Sequence, residues 1–299
     1  MSLESRLDKW GSRTQIMAIM NVTPDSFSGD GLVGEQAVQR ELGSDTLLDH
    51  ALAKAREAAQ EGATILDVGG ESTRPGARPV AVQEEIARVV PIISMLAKQQ
   101  HLPISVDSYH HETVEAALDA GAWMVNDIWG LRMPSGGWNE QMAKIVAKAK
   151  VPIILMHNRP VKASLSFNFT HYEQVHYTNL IEDILQELQE SVSFAMSMGI
   201  KRDNILIDPG IGFAKTPAQN MTVLRNLGVF RRLGLPILLG VSRKSFIGQT
   251  LELPPQERDE GTAAITAFAI QQAQVDIVRV HQVRINARVA RMIDALVRH

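Results

Sequence analysis

Short apolar runs that stop at a polar residue recur along this chain, and each is followed by a stretch of helical spacing. Residues 15–20 are apolar and end at Asn21. Residues 64–68 carry Asp67, 103–106 end at Asp107, and 123–128 contain Asn126 and Asp127. Residues 152–156 end at His157 and 205–207 at Asp208. Residues 236–241 run into Ser242-Arg243-Lys244, and 276–281 hold Arg279 and His281. Runs this short and this apolar predict strands buried on both faces. Between them, helical periodicity covers 46–61, 83–98, 110–120, 139–150, roughly 172–198, 219–227, 259–272 and 283–298. Strict alternation of strand and helix predicts a parallel sheet with helical crossovers. Eight such units in 299 residues predict an α/β fold closed as a (β/α)8 TIM barrel. No linker or low-complexity tract divides the chain, so 1–299 reads as one domain. Residues 1–14 read as a short segment across the barrel floor that turns at Gly11-Ser12.

The polar strand ends are the chemical signal. In a (β/α)8 barrel the active site lies at the C-terminal ends of the strands. Asn21, Asp67, Asp107, Asn126, Asp127, His157, Asp208, the Ser242-Arg243-Lys244 run, Arg279 and His281 are therefore expected to face one mouth. Each alone has an ordinary structural reading as a buried polar group satisfied by backbone. All eight strands ending this way call for a ligand. Asp208 closes a buried strand just before Pro209-Gly210, where a carboxylate is costly unless paired. A ligand edge with two adjacent N–H groups would pair with it, because a carboxylate accepts two parallel hydrogen bonds. Arg279 and His281 lie two apart on a strand and face the same way, with Val280 toward the helices. With Lys244 they make a cationic set suited to a phosphate. Asp107, Asn126 and Asp208 make an acceptor-rich set suited to a polar heterocycle.

Composition narrows the remaining classes. Hydrophobic residues make up 45% of the chain, enough for one large core. The net charge of −3 suggests no nucleic-acid surface. With no cysteine, disulfides, thiolate zinc sites and cysteine nucleophiles are excluded. No apolar run approaches a membrane span and the N-terminus shows no apolar signal region, so a cytoplasmic protein without membrane partners is expected. Lys215-Thr216 follow Ala214 rather than Gly, which rules out a P-loop. His111-Glu112 begins like a zinc-binding helix but ends in Glu115, and reads as a solvated helix start. The four Trp and twelve Met read as core and barrel-helix packing.

Seven motifs, in order, resemble the dihydropteroate synthase family. They are Ile19-Met20-Asn21-Val22-Thr23-Pro24-Asp25-Ser26-Phe27-Ser28, Leu66-Asp67-Val68-Gly69-Gly70-Glu71-Ser72-Thr73-Arg74-Pro75-Gly76, Val106-Asp107-Ser108-Tyr109 and Val125-Asn126-Asp127-Ile128. Asp208-Pro209-Gly210-Ile211-Gly212-Phe213, Ser242-Arg243-Lys244-Ser245 and Arg279-Val280-His281 complete the set. The resemblance runs from about Ile16 to the C-terminus. It implies a transferase that joins 6-hydroxymethyl-7,8-dihydropterin pyrophosphate to p-aminobenzoate, giving dihydropteroate and pyrophosphate. By motif, Asp107, Asn126, Asp208 and Lys244 would hold the pterin. Thr73, Arg279 and His281 would bind the pyrophosphate arm, and Asn21 would help place Mg2+. Phe27, Pro75, Phe213, Lys244 and Ser245 would surround p-aminobenzoate. Asp107, Lys244, Arg279 and His281 are the implied catalytic set. A homodimer and competition by sulfonamides are implied as well.

The chemistry of that assignment is consistent with the residues. Mg2+, Arg279 and His281 would neutralise the leaving pyrophosphate, and Asp107 would steady a cationic pterin-methyl carbon. The loops at 25–44 and 71–80 would close over the rim and exclude water. The chain departs from the family pattern in two places. Ser28-Gly29-Asp30-Gly31 replaces the usual Ser-Asp-Gly-Gly, and Gln282 stands where Asp is usual after His281. Two other readings fit part of the set: a pterin-binding methyltransferase serving a corrinoid, and a non-catalytic pterin-binding paralogue. The first has no need for the Ser242–Ser245 and Arg279/His281 anion site; the second has no need to keep every charged residue.

Overall fold

The computed structural model describes residues 11–22, 44–72, 79–99, 102–159 and 175–298. Eight strands run parallel: β1 (Gln15–Asn21), β2 (Ile65–Gly69), β3 (Ile104–Asp107), β4 (Met124–Asp127), β5 (Ile153–Met156), β6 (Ile205–Asp208), β7 (Leu238–Gly240) and β8 (Ile277–Val280). Neighbours in sequence pair, and β1 also pairs with β8. Between β6 and β7 the link is one parallel bridge, Ile207 to Ile237, where the Ile207 N–H donates to the Pro236 carbonyl at 3.0 Å. The ring of strands is thereby closed into a (β/α)8 barrel, as the alternation predicts.

Helices return the chain along the outside: Ser44–Glu61, Val82–Gln99, His111–Asp119, Glu140–Ala149, Leu180–Ser197, Pro217–Arg225, Asp259–Ala273 and Val283–Val297. A further short helix, Ser245–Leu251, directly follows the β7 turn. The periodicity predicts a helix from about residue 172, but it starts at Leu180. The side chain of Asn179 caps it by accepting from the Glu182 N–H, and Asp183 accepts from the backbone of Thr178 and Asn179. These local bonds hold 178–179 out of the helix and start it there.

The side-chain alternation of the strands sorts the core into two layers. Outward residues such as Ile16, Ala18, Leu66, Val68, Ile104, Val125, Leu155, Ile207, Leu239, Val278 and Val280 join the helices in one large apolar cluster. Inward residues Met17, Ile65, Met124, Ile154, Leu206, Leu238 and Ile277 form a separate apolar plug inside the barrel. Two residues beyond the plug, on the same face, stand Asp67, Asn126, Met156, Asp208, Gly240 and Arg279. Asp107 stands in the same relation to the buried Ser105. The period of two thus lifts a polar ring onto an apolar floor. The strand directions place that ring at the C-terminal mouth.

The helix Val82–Gln99 braces two of the loops above the ring. Its Glu85 is buried on the apolar face with Val89, Ile92, Ile93 and Leu96. One carboxylate oxygen accepts from Ser108 Oγ at 3.1 Å and Thr113 Oγ1 at 2.7 Å, and pairs with His110 Nδ1 at 2.9 Å. Arg88 donates to the Gly70 carbonyl at 2.9 Å. Gly70 allows this approach, since a Cβ there would lie 2.8 Å from Val89 and 2.9 Å from Glu85.

At the other end of the barrel, Thr14 and Arg298 tie the start of β1 to the last helix. Thr14 Oγ1 donates to Asp294 at 2.8 Å, and Arg298 donates to the Gly11 carbonyl at 2.8 Å. The expected turn at Gly11-Ser12 is present, with Gly11 at φ 93°. The rest of the expected floor segment, residues 1–10, lies outside the described residues. Among the described residues, no helix is long and apolar enough to cross a membrane.

Candidate active site

The centre of the mouth is an arginine held by two carboxylates. Arg279 on β8 donates from Nε to Asp67 Oδ2 on β2 at 2.5 Å, and from an Nη to Asp107 Oδ2 on β3 at 2.5 Å. Asn126 on β4 donates to the same Asp67 oxygen at 3.2 Å. The register explains the convergence. Gly69 pairs with Asp107 and Gly240 with Arg279, so glycines flank the two large groups and leave them room. A Cβ at Gly69 would lie 3.3 Å from the Asp107 Cβ. Burial pushes the Asp107 carboxyl up to about 7, although the Arg279 charge pulls it down. The two carboxylates hold Arg279 firmly protonated despite its burial. These contacts take two of the five N–H donors that a guanidinium carries.

Asp208 on β6 stands beside this group. Its Oδ1 accepts from the Gly210 N–H at 2.7 Å. A Cβ at Gly240 would come within 3.8 Å of its Oδ2, so the missing side chain opens the wall next to it. Burial raises the Asp208 carboxyl, while Lys244, the Gly210 N–H, Lys215 and Arg279 act to lower it. Lys244 donates to the Ile211 carbonyl and lies 4.5 Å from the centre of the Phe213 ring. Burial pulls its ammonium down to about 8. Phe213 belongs to a small apolar group with Ile128, Trp129 and Met156 at the mouth. The arrangement juxtaposes carboxylate acceptors, an amide, a cation and an aromatic face.

The other expected residues are placed as follows. His281 is held by Ser242 Oγ through both its backbone N–H, at 3.0 Å, and its ring Nδ1, at 2.9 Å. Gln282, the departure from the family pattern, accepts from the Arg284 N–H at 3.2 Å and caps the last helix. Ser245 is exposed at the first position of its short helix, beyond Lys244. Asn21 ends β1, in register with Gly69, and is half-buried. Phe27, Thr73 and Pro75 lie outside the described residues, as do most of the two expected lid loops.

Not every polar strand end faces the mouth. Asp127 points outward, opposite to Asn126, and accepts from the backbone N–H groups of Trp129 at 2.9 Å and Leu131 at 2.7 Å. It builds the turn through Gly130, and burial pushes its carboxyl up to about 6. His157 is likewise withdrawn, between Lys215 at 3.0 Å and Glu187 on the flanking helix at 3.1 Å. Arg243 pairs with Asp259 at 2.7 Å instead of joining Lys244. Of the expected cationic set, Arg279 and Lys244 both act on Asp208, while His281 is bonded to Ser242. Two residues that shape the site were not singled out from the sequence, Glu85 and Lys215. Each carried a signal: a carboxylate on the apolar face of an amphipathic helix, and a lysine directly after the apolar run from Ile211 to Ala214.

Glu71, Glu85 and His110 bring their ligand atoms within 4.8 Å of one another. One Glu85 oxygen already meets three partners, whereas Glu71 Oε2 is buried without a hydrogen-bond partner. Asn21, the residue expected to help place Mg2+, presents an amide oxygen, a hard ligand of the kind such a cation accepts.

Comparison with known proteins agrees with the geometry. Residues 17–281 match the family model described as pterin binding enzyme. The chain is 44% identical over 298 residues to the dihydropteroate synthase of Clostridium beijerinckii, covering 100% of both chains. It is similar to the dihydropteroate synthase of Clostridium difficile solved in the presence of pteroic acid. That likeness has a TM-score of 0.85 and 42% identity, over 98% of this chain and 100% of the other. It is also similar to the Yersinia pestis dihydropteroate synthase solved with a sulfonamide drug. Here the TM-score is 0.81 and the identity 35%, over 96% of this chain and 95% of the other.

Asp107 yields a prediction on pH. Its folded-state value, about 7, lies above the ordinary carboxylate value, so the folded protein binds more protons than the unfolded chain between about 4 and 7. Its contribution to stability is greatest below the ordinary value and is lost as pH rises toward about 7. Asp107→Asn removes that titration. In urea unfolding from pH 4 to 8, the wild-type stability is expected to fall relative to the variant by roughly 2–4 kcal/mol, with the change complete above about pH 7. Parallel stability curves would rule the buried titration out.

Proposed function

This chain belongs to the dihydropteroate synthase family, and on that premise we propose how its barrel mouth joins a pterin to an aromatic amine. The activity is the condensation of 6-hydroxymethyl-7,8-dihydropterin pyrophosphate with p-aminobenzoate, giving 7,8-dihydropteroate and pyrophosphate in folate synthesis. The observation that carries the reading is the buried Asp208, beside Lys244 and the Asp67–Arg279–Asp107 group, on an apolar floor.

The amino-pyrimidinone edge of a pterin presents a ring N–H beside an exocyclic NH2. Asp208 gives one lone pair to Gly210 and keeps others for such an edge. Asn126 and Lys244 complete the polar contacts, with Lys244 donating toward the pterin carbonyl. Asp107 lies where it can steady positive charge on the exocyclic methylene as pyrophosphate departs. Arg279 bridges the two carboxylates and retains donors for the pyrophosphate arm, with Thr73 and His281 as its further binding groups. p-Aminobenzoate lies against Phe213, bordered by Lys244, Ser245, Phe27 and Pro75. Mg2+, when bound with the help of Asn21, supplies neutralising charge to the pyrophosphate. Carbon–oxygen cleavage then precedes attack by the aniline nitrogen, which needs no strong base at an electron-poor carbon.

The coverage of whole-length relatives supports reading the chain as one domain. We read its compartment as the cytoplasm on the sequence alone. The corrinoid-linked methyltransferase reading gives way to the family assignment. The non-catalytic reading requires none of Asn21, Asp107, Lys244 and Arg279, yet all are present.

A homodimer is the assembly we propose. Methionine does not pack uniformly into the core, contrary to the expectation above. Met292 and Leu296 are each 59% exposed, four residues apart on the last helix, and Phe268 is 44% exposed on the helix that packs beside it. Such exposed apolar residues suit a partner surface. Sedimentation of the wild type is expected to give a dimer, and Met292→Glu with Leu296→Glu a monomer. A wild-type monomer would end this reading.

Activity is tested directly by pyrophosphate release from the pterin substrate with Mg2+, which should require p-aminobenzoate. Asp208→Asn replaces one acceptor with a donor facing the ligand's N–H groups. Calorimetry is expected to show a loss of roughly 3–5 kcal/mol in pterin pyrophosphate binding with the fold retained. Unchanged affinity would return Asp208 to a purely structural role.

A further inference from the structure

Lys215 is 2% exposed and lies directly behind the Asp208 turn. Its ammonium meets three acceptors: the Gly210 carbonyl at 2.9 Å, the Phe213 carbonyl at 3.1 Å and His157 Nδ1 at 3.0 Å. An ammonium has three N–H donors, so all are used. This contact also fixes the histidine tautomer. With Nδ1 accepting from Lys215, Nε2 carries the proton and donates to Glu187 at 3.1 Å. Burial, assisted by the Lys215 charge, pulls the His157 imidazole down to about 3, so it stays neutral. The nearest bonded carboxylate therefore lies one imidazole away, and is itself held by Arg159 at 2.9 Å.

Among the described residues no carboxylate bonds the ammonium directly, and a buried cation so placed is costly, so packing alone does not account for it. Gly210 shows what the charge reaches. Its N–H donates to Asp208 Oδ1 at 2.7 Å, and its carbonyl accepts from Lys215. One residue thus joins the ammonium to the carboxylate. Gly210 has φ 71°, and a Cβ there would lie 1.9 Å from the His157 carbonyl oxygen, so its peptide has little freedom to turn. The second carbonyl held by Lys215 is that of Phe213, whose ring lies beside Lys244.

We propose that Lys215 is a positioning residue for Asp208: its hydrogen bonds set the 210–213 turn that orients the carboxylate, and its ammonium favours the ionised form. The proposal rests on the reading of Asp208 as the pterin anchor. Lys244 and Arg279 also face Asp208 and act in the same direction. Asp208, Lys244, Glu187 and Arg159 face Lys215, whose ammonium burial pulls down to about 7. The charge is removed in Lys215→Met and kept in Lys215→Arg.

The test measures binding of 6-hydroxymethylpterin by calorimetry between pH 5 and 8 in the wild type and both variants. An ionised Asp208 is the binding form, so affinity falls as pH drops through its titration. Loss of a neighbouring positive charge moves that titration upward. Lys215→Met is therefore expected to bind progressively worse than wild type toward pH 5, by at least about 5-fold more there than at pH 8. Lys215→Arg restores the wild-type pH dependence. A deficit in Lys215→Met that is the same at every pH means a structural role only and overturns the proposal.

A reciprocal measurement needs no change at Lys215. In Asp208→Asn, the Lys215 side-chain NMR titration is expected to move to lower pH, because the favourable carboxylate charge is gone. An unmoved titration overturns the proposal even if Lys215→Met fails to fold. Wild-type pterin affinity in Asp208→Asn would instead refute the anchor reading, while leaving the Lys215–Asp208 coupling to the NMR result.

Discussion

Arg279 stands between Asp67 and Asp107, 2.5 Å from each, and the mouth of the barrel is arranged around that contact. Asp67 is wholly buried, and a carboxylate there without a partner would be expensive to ionise. The guanidinium offsets part of that cost and bridges β8 to β2 and β3. Asn126 then finds its acceptor on Asp67, which brings β4 into the same group. Removing Arg279 would leave two carboxylates without their cation above an apolar floor, so the group behaves as a unit.

The floor and the ring come from one feature of the chain, the two-residue period of the strands. Ile65 and Asp67, Met124 and Asn126, Leu206 and Asp208, and Ile277 and Arg279 are pairs on a single face. That is why the barrel and the inward-facing positions of the candidate site were legible in the sequence. The limits have equally physical causes. A strand ending in two polar residues sends them to opposite faces, which took Asp127 out of the mouth and into a turn. His157 was claimed by Lys215 and Glu187, contacts across 58 and 30 residues that no local pattern displays. The partners of Arg279 lie 212 and 172 residues away in sequence. Its basic character was plain from the motif, but its ion pairs depend on closing the barrel. The start of the helix at Leu180 was set by the Asn179 cap rather than by apolar spacing.

Behind the mouth, two supports hold the loops that carry the chemistry. Glu85 gathers Ser108, His110 and Thr113 next to Asp107. Lys215 gathers Gly210 and Phe213 next to Asp208. In both, a buried ionisable side chain holds the segment beside a carboxylate of the mouth, Glu85 through side chains and Lys215 through backbone carbonyls. A pterin would then meet acceptors that are already oriented, which lessens the ordering that binding must impose.

The central claim is that Arg279 and the buried carboxylates stabilise each other in the free protein. A double-mutant cycle on unfolding free energy with Arg279→Met and Asp67→Asn measures this coupling directly. Each single variant breaks the pair and leaves its partner buried, while the double variant removes both charges of that pair and leaves Asp107 in place. The predicted coupling is at least ~2 kcal/mol, with the double variant more stable than the sum of the single losses implies. Additive losses, with a coupling indistinguishable from zero, would contradict the account.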